Sequence, residues 1–178
     1  LKFLLLSIWG CAEIRPDFDT VASLAKGAGL VPVSKAVLGD TETPVSAYMK
    51  IRSKSPYSFL LESVEGGENI GRYSFLGTNP FMVFRSSGRQ IEVEDLKRQE
   101  KRRYEGDPIE ELRALVKRYN AARLDGVPRF TGGAVGYVGY DAIRLQEDIP
   151  DRTENDLALD DIVMLFYDTL LAFDNVQH

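Results

Sequence analysis

Glu62 and Ser63 have the residue types and the setting to meet a small ligand. They directly follow Phe59, Leu60 and Leu61, so an apolar run ends abruptly in a carboxylate and a hydroxyl. A carboxylate beside buried surface can meet an ammonium, and a serine hydroxyl both donates and accepts hydrogen bonds. Beyond them lies a polar stretch, Glu65-Gly66-Gly67-Glu68-Asn69. Two readings stand side by side. One is a hairpin with a solvated acidic loop, since Gly and Asn are ordinary turn residues. The other is the polar end of a binding site. Elsewhere the chain offers little chemistry. Cys11 is the one cysteine and His178 the one histidine, which excludes an internal disulfide framework and a His/Cys zinc cluster. Acid–base work would rest on carboxylates, Lys or Tyr. A net charge of −5 argues against broad nucleic-acid binding.

Elements must position these residues. Phe59 and Leu61 alternate with Ser58 and Leu60, and Tyr73 and Phe75 alternate with Ser74 and Leu76. That period of two predicts two strands around the polar turn. Leu60, Leu61, Tyr73 and Phe75 can supply apolar walls. Asp17 to Gly27 reads as a helix capped by Asp17. Leu30 to Val33 reads as a short strand whose Pro32 sends it to an edge. Val45, Ala47, Met49 and Ile51 alternate with Ser46, Tyr48 and Lys50, which predicts a half-buried strand behind Pro44. Phe81–Arg85 and Gln90–Glu94 flank Ser86-Ser87-Gly88-Arg89, a hairpin pattern. Leu96 to Glu105 is rich in charge and reads as a solvated loop or helix face, or as a basic patch for an anionic partner.

Asp107-Pro108-Ile109-Glu110 carries helix start signals: a cap, a proline at the first helical position and a capping-box glutamate. Phe130 to Tyr140 reads as a strand through Gly132, Gly133, Gly136 and Gly139. Its spacing is not a dinucleotide fingerprint. Its glycines admit either close packing of another backbone or a nearby ligand. Ile162 to Phe173 predicts two strands joined near Asp168. The fold class expected is α+β, with mainly antiparallel β-sheets packed together and a few flanking helices. The 178 residues suffice for one domain with a core, or for a domain plus part of another.

Three stretches resemble one family. They are Leu60-Leu61-Glu62-Ser63 with Glu65-Gly66-Gly67-Glu68-Asn69-Ile70-Gly71-Arg72-Tyr73-Ser74-Phe75, then Thr43-Pro44-Val45-Ser46-Ala47-Tyr48, then Arg129 to Asp141. Together they resemble the N-terminal, regulatory region of anthranilate synthase component I, from about Pro16 to the end of the chain. The related aminodeoxychorismate synthase component I shares the architecture. The unbroken Glu65–Arg72 run is more similar to the anthranilate enzyme.

The resemblance implies a role in converting chorismate and ammonia to anthranilate and pyruvate, for tryptophan biosynthesis. It implies a glutamine amidotransferase component II as partner and L-tryptophan as feedback inhibitor. In the family the chorismate and magnesium residues lie in a C-terminal half, so no catalytic residue and no metal is expected in this chain. Ser63 matches the family's tryptophan-contacting serine, and Pro44 matches a position beside the indole. Glu62 could offset the ligand's ammonium, since a charge buried unpaired is costly. The expected domain is 14–178, with 1–13 an extension or mis-assigned start. Leu1 to Cys11 is too short to span a bilayer as a helix. The composition suggests a reducing cytoplasm, with no membrane and no nucleic acid among the partners. A different class of reading is a stand-alone small-molecule-binding module that works without a catalytic half.

Overall fold

The structure is a computed structural model that describes residues 2–7, 14–52, 55–62, 71–150 and 156–176. It divides into two compact units. The first is Leu1–Pro80 with Tyr119–Gly133 and Tyr167–His178, and the second is Phe81–Arg118 with Ala134–Phe166. Strands and helices together make the expected α+β class, and most strand pairs are antiparallel.

The first unit holds strands β1 (Lys2–Ser7), β2 (Ile14–Arg15), β3 (Val31–Ala36), β4 (Ser58–Leu61), β5 (Tyr73–Thr78) and β11 (Thr169–Asp174). They form one sheet in the order β2-β3-β1-β11-β5-β4. β1 runs parallel to both β3 and β11. β3 is therefore not at the sheet edge, contrary to the expectation from Pro32. Its neighbour β2 pairs only with Ser34 and Lys35, and so does not reach Pro32. Helix α1 (Phe18–Leu24) starts as expected, with Asp17 accepting the Thr20 N–H at 2.8 Å. The core of this unit is built from Leu30, Val31, Phe59, Leu76, Tyr167 and Leu170, all buried. Phe59 lies across Gly77, its partner on β5, and meets the Tyr167 ring edge-on at 4.9 Å.

The stretch expected to be a strand behind Pro44 is a helix, α2 (Pro44–Arg52). The reason is local. The Thr43 N–H donates to Ser46 Oγ at 2.9 Å, and the Ser46 N–H donates to Thr43 Oγ1 at 3.1 Å. This is a reciprocal capping box, with Pro44 at the first helical position where its missing N–H does no harm. Besides the capping Ser46, the half-buried residues are Pro44, Ala47, Tyr48 and Ile51, a helical spacing, while Val45 and Met49 are exposed. The alternation of apolar residues was thus coincidental.

The second unit contains β6 (Met82–Ser87), β7 (Gln90–Asp95), β8 (Glu100–Glu105), helix α3 (Pro108–Arg118), β9 (Gly133–Val138), a 3-10 helix (Tyr140–Leu145) and β10 (Ile162–Tyr167). The sheet order is β8-β7-β6-β10-β9. β6 and β7 form the expected hairpin. Asp107 caps α3 through the Ile109 and Glu110 N–H groups, at 2.9 and 3.1 Å. The charged run read as loop or helix face forms an edge strand, β8. It is held by Glu92 on β7, whose carboxylate meets Lys101 at 2.7 Å and Arg103 at 2.6 Å. Burial opposes the charge on Glu92, but those two hydrogen-bonded cations outweigh it and hold its pKa below the ordinary value. An edge strand covered in charge resists pairing with another chain. The strands expected on either side of Asp168 are present, and they serve different sheets: β10 this one, β11 the other.

Candidate functional site

The hairpin expected around Glu62 and Ser63 is formed. β4 and β5 pair antiparallel, with Leu60 opposite Leu76 and Leu61 opposite Phe75. Glu62 directly follows β4 and is exposed. Ser63 and the loop to Ile70 lie outside the described residues. The return limb is tied down by the end of β11. Arg72 Nε donates to both carboxylate oxygens of Asp174 at 3.1 Å, and Arg72 Nη2 donates at 2.7 Å. The hydrogen bonds to Asp174 push the Arg72 pKa up, so its charge is secure. The Arg72 guanidinium also sits 5.0 Å from the centre of the Tyr73 ring. Asn175 Nδ2 donates to the Gly71 carbonyl at 3.2 Å and to Ser74 Oγ at 3.1 Å. Both limbs of the loop that carries Ser63 therefore start from fixed backbone.

Strand alternation separates the four apolar walls expected from the sequence. Leu61, Tyr73 and Phe75 share one side of the hairpin, where the Phe75 ring meets Phe130 edge-on at 5.3 Å. Ser58 and Leu60 share the other side with Ser74, Leu76 and Thr78. Helix α2 packs on β4 and β5. The hydroxyls of Tyr48 and Ser58 lie 3.0 Å apart, hydrogen-bonded in a half-buried position, so α2 lies on the Ser58–Leu60 side. The structure thus brings together the helix that begins at Pro44 and the face of the strand that leads to Glu62. It does not bring Tyr73 and Phe75 to that face. The start of α2 is polar beyond its cap. Ser46 Oγ donates to Glu42 Oε2 at 2.8 Å, and Lys50 pairs with the other oxygen of the same carboxylate. The Lys50 and Ser46 hydrogen bonds hold the Glu42 pKa below the ordinary carboxylate value.

Two buried hydroxyls of the first unit, Tyr167 Oη and Thr78 Oγ1, have no hydrogen-bond partner among the described residues. Burial, and to a lesser extent the nearby Tyr48, push the Tyr167 phenol up to about 12. The Tyr48–Ser58, Arg72–Asp174 and Phe75–Phe130 contacts were not found by sequence reasoning. A capping box at Thr43–Ser46 was the available signal for the first. The Arg72–Asp174 pair spans 102 residues and leaves no local signal.

The second unit shows why the glycines of the third stretch recur. A Cβ on Gly136 would lie 1.9 Å from the Val163 carbonyl oxygen. The Gly139 N–H donates to the Asp161 carbonyl at 2.7 Å. Close packing against another backbone thus accounts for Gly136. A cleft of ≈600 Å³ beside Gly139 is lined by Tyr137, Tyr140, Arg144, Leu157 and others, none of them an expected site residue. Among the described residues no group of three or more His, Cys, Asp and Glu could hold a metal ion. No helix among the described residues is long and apolar enough to cross a membrane.

The chain is 39% identical over 162 residues to anthranilate synthase component 1 of Acetivibrio thermocellus, covering 91% of this chain and 32% of that protein. It is 37% identical over 165 residues to the protein of the same name from Synechocystis sp., covering 92% and 32%. The crystal structure of anthranilate synthase component I from Streptococcus pneumoniae TIGR4 matches with a TM-score of 0.51 and 27% identity, over 78% of this chain and 28% of that one. No family model matches. The chain thus spans about a third of the length of these curated relatives.

Proposed function

We propose that the chain belongs to the anthranilate synthase component I family over the region matched, and that it is the regulatory region of such an enzyme. The whole enzyme would convert chorismate and ammonia to anthranilate and pyruvate, a lyase step of tryptophan biosynthesis in the cytoplasm. A glutamine amidotransferase component II would supply the ammonia. Magnesium and chorismate would be held by the enzyme's C-terminal half, and this chain alone would be inactive. L-Tryptophan would bind as feedback inhibitor at the start of α2 and the end of β4. Pro44 would stand beside the indole, Ser63 would hydrogen-bond the amino-acid end, and Glu62 would face the ammonium.

One observation carries this reading. α2, which starts at Pro44, packs on the strand that leads to Glu62. Two stretches that resemble the family separately are neighbours in space. A ligand between them would have an apolar flank from Pro44 and Leu60 and a polar end at Glu62 and Ser63. A zwitterion attached to an indole needs that combination, because either charge buried unpaired is costly. The matched relatives named anthranilate synthase favour that enzyme over aminodeoxychorismate synthase.

The experiment is a fluorescence assay for anthranilate with chorismate, ammonia and magnesium. This chain should give no more product than a boiled control, and the longer enzyme that contains it should turn over. Turnover by this chain alone, or none by the longer enzyme, would contradict the assignment.

A further inference from the structure

The bond between Tyr48 and Ser58 joins the two elements on which the proposed tryptophan site depends. Pro44 and Tyr48 are four residues apart in α2, so they lie on one face of the helix. Ser58 opens β4, and Glu62 follows its last residue. α2 ends at Arg52 and β4 opens at Ser58, so the two elements are near neighbours in the chain. The hydroxyl pair at 3.0 Å is a direct polar tie between α2 and β4. Phe59, next to Ser58, is held on the other side of the strand by Gly77 and Tyr167. β4 is thus a firm base, and Tyr48 anchors the helix to it.

We propose that Tyr48 and Ser58 are positioning residues for the feedback ligand: their hydrogen bond fixes the gap between Pro44 and Glu62 at the end of β4. This rests on the tryptophan-site reading above. Neither hydroxyl needs to touch the ligand. With the bond broken, α2 samples other positions on the sheet, and only part of the population is competent to bind. Apparent affinity falls by that fraction. A neutral hydrogen bond is worth enough to shift it about three- to tenfold.

The test uses the longer enzyme that contains this chain, assayed for anthranilate at a series of tryptophan concentrations. Tyr48→Phe and Ser58→Ala should each raise the half-inhibiting tryptophan concentration about three- to tenfold. The double variant should be no worse than the poorer single one, because both remove the same bond. kcat and KM for chorismate should not move. Ser58→Thr keeps a hydroxyl and should restore inhibition. Tyr167→Phe is the control for general loosening: it removes a buried hydroxyl that has no partner, so inhibition should be unchanged.

Unchanged inhibition in Tyr48→Phe, additive losses in the double variant, or a loss in Tyr167→Phe equal to that in Tyr48→Phe would overturn the proposal. Ser63→Ala separates this from the reading beneath it. If Ser63→Ala weakens inhibition and Tyr48→Phe does not, only the positioning role is lost. If tryptophan fails to inhibit the parent, the site reading falls and the positioning role falls with it.

Discussion

Replacing Gly136 by alanine should force β9 away from β10. The added Cβ would meet the Val163 carbonyl oxygen at 1.9 Å, the Val163 carbonyl carbon at 2.8 Å and Met164 Cα at 3.0 Å. A carbon normally approaches a carbonyl oxygen no closer than about 3.3 Å. The strand must therefore move by more than about 1 Å, and backbone atoms on the other side cannot rotate away. Overpacking of this kind costs about 1–3 kcal/mol. Each ladder hydrogen bond lost with the shift adds about 0.5–1.5 kcal/mol. A total near 3 kcal/mol lowers the thermal midpoint of a chain this size by about 6–12 °C. Circular dichroism during heating reads this directly. Gly27→Ala is the control, since its Cβ would meet nothing within 4 Å, and it should stay within about 2 °C of the parent. If Gly136→Ala also stays within about 2 °C, β9 does not approach β10 as described. The glycines of that stretch would then need another explanation, such as a nearby ligand.

Other outcomes can be checked on the same protein. Deleting residues 1–13 removes β1 from between β3 and β11 and should lower the midpoint by several degrees; an unchanged midpoint would make those residues the extension that the sequence suggests. Asp174→Asn should weaken the Arg72 clamp and speed proteolysis between Glu62 and Gly71, without a comparable effect in the second unit; equal protection in parent and variant would refute the clamp. Burial raises Tyr167 and Tyr104, the latter also hydrogen-bonded to Glu111, to about 12 each, from an ordinary value of 10.0. Above pH 10 the folded chain keeps protons that the unfolded chain releases, so stability should fall as pH rises from 10 to 12. Urea unfolding across that range should show the loss, and Tyr104→Phe and Tyr167→Phe should each flatten it.

What the sequence made legible was local. The Asp17 and Asp107 caps bond to N–H groups two or three residues on, and the chain states them directly. The β4–β5 and β6–β7 hairpins follow from alternation around turn residues, and Asp168 divides the last apolar run. The errors arose where a local pattern had two meanings. In α2 the same residues fit a period of two, and the Thr43–Ser46 capping box decided for the helix. In β8 a charged run with no apolar face became a strand because Glu92 lies opposite its cations.

Of the site, Pro44 and Glu62 could be named from the resemblance, but their relation could not. That relation appears only in the fold, where α2 packs on β4 and Tyr48 meets Ser58. Tyr73 and Phe75 were assigned to the ligand because they are apolar and near in sequence. Alternation puts them on the opposite side, with Phe130.

The central claim is that tryptophan binds where α2 meets the end of β4, and Ser63 tests it most directly. The measurement is the tryptophan concentration that halves anthranilate formation by the longer enzyme, for the parent, Ser63→Ala and Ser63→Phe. Losing one hydrogen bond to a charged group costs about 1.5–3 kcal/mol, so Ser63→Ala should need about ten- to a hundredfold more tryptophan. Ser63→Phe should need more still, because its ring also fills the slot, and kcat without tryptophan should be close to the parent's for both. Inhibition of Ser63→Ala at the parent's tryptophan concentration would contradict the account and return Glu62 and Ser63 to an ordinary solvated turn.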